Sequence, residues 1–132
     1  MKRSYIGLAL GALVVVGAML SLPSCGHDQK LVSVTVSPSA ATIAGPGIEV
    51  DFKAVGTYIH PPESRDITTS VVWTSAAPQV VSIISNTGVA TSGAFCGTNI
   101  TITATAFSNP QSQSGSVVVG TAGVTVTQPP TC

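Results

Sequence analysis

Beyond residue 30 the chain alternates between apolar and polar positions. Leu31–Ser37 puts Val32, Val34 and Val36 on one side and Ser33 and Thr35 on the other, the period of a half-buried strand. Ile48–Tyr58 sorts more cleanly. One face carries Ile48, Val50, Phe52, Ala54, Gly56 and Tyr58, and the other carries Glu49, Asp51, Lys53, Val55 and Thr57. A helix would scatter those charges around its girth. Further strands are predicted at Val71–Ser75, Val80–Ile84, Val89–Thr91, Asn99–Ala106 and Ser116–Thr127, with a short Thr42–Ile43 piece after the first. In the last strand the apolar phase slips between Val117/Val119 and Val124/Val126, which predicts a bulge near Gly120–Gly123. Ala44-Gly45-Pro46-Gly47 and Ser85-Asn86-Thr87-Gly88 are turn signals. His60–Asp66 reads as a polar loop whose two prolines exclude regular pairing. About seven short strands with frequent turns predict an all-β sandwich, with Trp73, Phe52 and Ile102 in its core.

The first 25 residues follow another pattern. Lys2 and Arg3 precede an apolar stretch from Tyr5 to Leu20, then Leu22-Pro23-Ser24 and Cys25. That layout reads as a helical secretory signal segment. It resembles the bacterial lipoprotein signal, with Leu22 in the aliphatic place and Ser24 in the small place before the cysteine; Pro23 between them is atypical. The resemblance implies that Cys25 is lipidated and is the first mature residue, so that the partner at this end is a membrane. Ordinary secretion and an uncleaved anchor are the alternatives; Gly7, Gly11, Gly17 and Pro23 weigh against a permanent span. The expected organisation is a signal peptide over 1–24, a tether over 25–30 and one domain over 31–132. Gly26 stands where an aspartate would favour inner-membrane retention, so the expected location is the cell envelope, with the outer membrane favoured.

Cleavage at that point leaves a length suited to a single core. Only 8% of the whole chain is charged. Lys30, Lys53 and Arg65 stand against Asp28, Glu49, Asp51, Glu63 and Asp66, three cations to five anions. Three scattered cations make no basic patch, which excludes nucleic acid as a partner. With Cys25 acylated, Cys96 and Cys132 remain as a pair. In an exported protein such a pair is expected to form a disulfide, two free thiols being the alternative. Their spacing is unlike a zinc site.

Several fragments recur in a recognisable order: Val34-Thr35-Val36-Ser37-Pro38, Phe52-Lys53-Ala54, Val72-Trp73-Thr74-Ser75, Pro78-Gln79-Val80-Val81-Ser82-Ile83, Asn86-Thr87-Gly88-Val89-Ala90-Thr91 and Thr101-Ile102-Thr103-Ala104-Thr105. In this order they resemble the group 2 bacterial immunoglobulin-like (Big) domain over about Leu31–Val126. The resemblance implies an immunoglobulin-like β-sandwich. It also implies a place among bacterial surface and adhesion proteins, where such domains act as spacers or bind host proteins or carbohydrate. The Pro-Pro loop after Tyr58 and the Cys96/Cys132 pair depart from the family's pattern.

No chemical site emerges from the motifs. His27 falls in the tether and His60 in the proline loop, and no acid–base partner can be identified for either. No Gly-x-Ser-x-Gly elbow occurs. Glu49 and Asp51 beside Lys53 read as a solvated strand face rather than a calcium site, which needs six or more oxygens. Glu63, Arg65 and Asp66 read as a surface ion pair. The expectation is a non-enzymatic, cofactor-free envelope lipoprotein whose domain contacts protein or glycan; the alternative is a structural accessory subunit of an envelope assembly. An up-and-down strand count places the 59–69 and 107–115 loops near the membrane, and Cys96 and Cys132 at the far pole.

Overall fold

The computed structural model describes residues 29–127 and Cys132. The expected signal peptide, Cys25, His27 and most of the expected tether lie outside the described residues, as do residues 128–131. The fold is all-β. Its strands are β1 (Lys30–Ser37), β2 (Ala40–Ala44), β3 (Glu49–Asp51), β4 (Lys53–Ile59), β5 (Glu63–Asp66), β6 (Val72–Ser75), β7 (Val81–Ile83), β8 (Val89–Ser92), β9 (Gly97–Asn109) and β10 (Ser114–Thr127). They pair as β2-β10-β9-β6, β1-β4-β5 and β3-β8-β7. The two three-stranded sheets follow one another through Phe52, where β3 runs into β4. Together they form one layer of a sandwich whose other layer is the four-stranded sheet.

Four local expectations are corrected. Val32 is exposed and Leu31 is buried instead, because the β1–β4 register shifts between Leu31 and Ser33 and reverses the phase there. The single strand expected over 48–58 breaks at Phe52, whose N–H leaves the ladder to bond the Gly88 carbonyl (2.9 Å); Ile48 at its start is exposed. Glu63–Asp66 is a strand, not a loop, pairing with Val55–Tyr58. The prolines occupy only positions 61 and 62, so the turn ends before the N–H groups that pair. In β10 there is no shift at Gly120–Gly123; the irregularities lie at Ser114/Val117 and Val124/Val126. Gly120, Ala122, Val124 and Val126 are buried in one unbroken phase, which leaves Val117 and Val119 on the outside.

Trp73, Phe52 and Ile102 lie in the buried core with Leu31, Val81, Val124 and Val126. The Trp73 and Phe52 rings lie 6.4 Å apart at 41°. The indole Nε1–H donates to the Thr68 carbonyl at 2.8 Å, which satisfies the one polar atom this side chain buries. Gly88 makes the close packing possible. Its φ is +77°, and a Cβ there would run into the Phe52 carbonyl oxygen and lie 3.1 Å from the Trp73 ring. Gly88→Ala is therefore expected to cost about 2–4 kcal/mol, from a strained φ and a clash with backbone. Urea denaturation measures it; a loss under ~0.5 kcal/mol would show that the turn relaxes freely.

The poles follow from the register. Lys30 lies opposite Ile59, and β9 and β10 turn back at Asn109/Ser114. Val34 O lies against Gly120, Ser39 O accepts from Gly123 N (3.0 Å), and Ala40–Ala44 runs parallel to Gly123–Thr127. β1 and β2 thus travel in the same direction as β10. The 60–62 turn and the 109–114 turn share the pole where the chain enters, and the Thr127 end occupies the other.

Candidate interaction surface

The outer face of the β2-β10-β9-β6 sheet holds the most exposed apolar surface on an ordered element. Ile102, Ala104 and Ala106 point inward from β9, so Thr101, Thr103, Thr105 and Phe107 point out. Register then defines the rows. Val72, Thr105 and Val119 lie side by side across three strands, and Phe107 lies opposite Val117. Val72 is 57% exposed, Phe107 41%, Val117 59% and Val119 53%. The next row, toward the far pole, is Thr74, Thr103 and Thr121. The face is apolar at the pole where the chain enters and hydroxyl-rich beyond it.

Its electrostatics are as distinctive. None of β2, β6, β9 or β10 contains an ionisable side chain. The last charged side chain in the sequence is Asp66, and 67–132 contains no Asp, Glu, Lys, Arg or His. The described charges (Lys30, Glu49, Asp51, Lys53, Glu63, Arg65 and Asp66) all sit on β1, β3, β4 and β5, in the opposite layer. A sheet face that meets only water is normally polar, with charges interspersed and no grouped apolar side chains. This one carries valine, phenylalanine and threonine instead.

The charged layer contains a small cluster at the entry pole. Arg65 Nη2 donates to Glu63 Oε2 at 3.0 Å and to Gln29 Oε1, while Gln29 Nε2 donates to Glu63 Oε2 at 3.2 Å. The Arg65 guanidinium also stands 4.8 Å from the centre of the Tyr58 ring. The bond from Arg65, helped by Gln29, holds the Glu63 carboxyl below the usual carboxylate range. Asp66 takes no part in this pair. It accepts from the Thr68 N–H at 2.9 Å, and its bonds to Thr68 lower its pKa. The cluster is exposed and internally satisfied. Its physical effect is to fasten the first described residue, Gln29, to the β4–β5 ribbon.

The remaining sequence candidates separate. Cys96 and Cys132 are joined by a disulfide, with Cα atoms 5.9 Å apart, at the pole remote from Gln29. Cys25 lies outside the described residues. Glu49, Asp51 and Lys53 are exposed, and no group of three or more His, Cys, Asp or Glu among the described residues is placed to hold a metal ion. His60 sits in the turn after β4, at φ +64°. The outer sheet face was not predicted as a site, although one signal for it was present. The phase slip in β10 marks where valines stop pointing inward, and reading it as a bulge concealed the patch.

No known family model matches the chain, and no curated protein matches it.

Proposed function

We propose that this chain is a non-enzymatic, lipid-anchored protein of the bacterial cell envelope whose single immunoglobulin-like domain, of the Big type, works by protein contact. The observation that carries the contact role is the uncharged outer face of β2-β10-β9-β6, with Val72, Phe107, Val117 and Val119 exposed at one end. Exposed apolar side chains grouped on a rigid sheet are the usual mark of a protein interface. The anchoring role is supported by the sequence leading to Cys25 and by the position of Gln29, only four residues later, at one pole of the sandwich.

Two experiments test the two halves. Mass spectrometry of the mature N-terminus is expected to find a diacylglyceryl-modified Cys25; an unmodified residue at another cleavage point would refute anchoring. Native electrophoresis of detergent-solubilised membranes is expected to show the chain in a species larger than itself. Val119→Asp should release it, because a carboxylate forced into a desolvated apolar contact is costly. Wild-type chain migrating as a single copy, or a complex indifferent to Val119→Asp, would refute the contact role of this face.

A further inference from the structure

We infer that the partner on this face is a second copy of the same chain, packed sheet against sheet; this rests on the contact reading above and names its occupant. Charge is the first argument. Two copies approaching through their other layers bring like patterns of Glu49, Asp51, Lys53, Glu63, Arg65 and Asp66 together. Through β2-β10-β9-β6 they bring no ionisable side chain together at all. Area is the second. β9 is 13 residues long and β10 is 14, and under the two-fold described below these two strands cover each other while β2 and β6 lie at different heights, so at ~3.3 Å per residue and ~4.8 Å between strands the overlapping face offers roughly 430 Å² per copy. Two such faces bury about 850 Å², the low end occupied by weak, transient contacts and short of the ~1,000 Å² expected of a stable interface. The predicted association is therefore a weak, reversible dimer.

The tether selects its orientation. Both copies enter their sandwiches at the pole carrying the 109–114 turn. Two chains anchored in one membrane must keep those poles side by side, so the two-fold axis runs along the strands. Under that operation β9 of one copy stacks over β10 of the other at the same height. Phe107 of one copy then meets Val117 of the other, and Thr105 meets Val119, twice over by symmetry. The apolar ends cover each other, and the threonine rows meet with hydroxyls that both donate and accept. Sheets packed this way lie about 10 Å apart with strands nearly aligned.

The test uses the full chain in its native membrane, in cells carrying two differently tagged copies. Thr105, at the middle of the face, is replaced by the photoreactive p-benzoylphenylalanine; Lys53, exposed on the opposite layer, receives the same replacement as a control. Irradiation is expected to give a band at twice the chain mass containing both tags from position 105 and none from position 53. Adding Val117→Asp and Val119→Asp should cut that band by about tenfold or more, since four carboxylates would then face each other. Circular dichroism of the purified variant confirms that it is folded. Cross-linking from position 105 solely to another protein would overturn the self-association while leaving the contact surface standing. Cross-linking to phospholipid, or to nothing, would overturn both.

Discussion

Replacing Trp73 with alanine is expected to lower the free energy of unfolding by about 4–5 kcal/mol, the upper part of the range for deleting a large aromatic core side chain. Two effects add. The substitution empties the space between Phe52 and the Gly88 turn, where backbone on one side and a ring on the other leave little room to collapse. It also removes the indole hydrogen bond to the half-buried Thr68 carbonyl, a net loss of about 0.5–1.5 kcal/mol. Trp73→Phe separates the two, because it keeps most of the apolar volume and loses the hydrogen bond; a loss of about 1–3 kcal/mol is expected. Urea denaturation followed by far-ultraviolet circular dichroism measures both, the chain's only tryptophan being lost as a fluorophore. An alanine variant within ~1.5 kcal/mol of wild type would mean that the surrounding residues repack, contrary to this account.

Removing the Cys96–Cys132 bridge by a double serine substitution is expected to cost about 4 kcal/mol. The bridge spans 36 positions, and closing a loop of that size restricts the unfolded chain by about this much in the chain-entropy account. The loop contains all of β9 and β10, the two strands at the centre of the exposed face. For a domain of this length, typically stable by 5–15 kcal/mol, either substitution consumes a large share of the margin. The two losses differ in kind. The serine variant should keep its folded contacts and its position-105 cross-link at low temperature, whereas Trp73→Ala perturbs the packed interior. An unchanged urea midpoint after reduction or double substitution would show that the loop is already restricted in the unfolded state.

Strand existence was legible wherever one face is wet and the other dry. Asn99–Ala106 and Val89–Thr91 were readable because alternation records a boundary between water and core. Legibility failed where another element intervened. Nothing local to Leu31–Ser33 says that β4 will slip one position against it, yet that slip decides which of Leu31 and Val32 is buried. Glu63–Asp66 has four exposed residues and no apolar alternation, so only the open edge of β4 reveals it as a strand. The outer face suffered from a default assumption that valine points inward. Val117 and Val119 follow the phase dictated by Gly120 and Ala122, whose small size lets β1 approach; a Cβ at Gly120 would lie 2.6 Å from the Val34 carbonyl oxygen.

By itself the sequence determined that the chain beyond residue 30 is all-β, with a tryptophan in its core and two cysteines left over after Cys25. Alternation, turn residues and composition are properties of consecutive positions. Only the tertiary structure decided that those two cysteines meet, that every described charge gathers in one layer, and that Val72, Phe107, Val117 and Val119 share an exposed face. These depend on which strands become neighbours and in what register, a balance of packing across the core that no short stretch of chain contains.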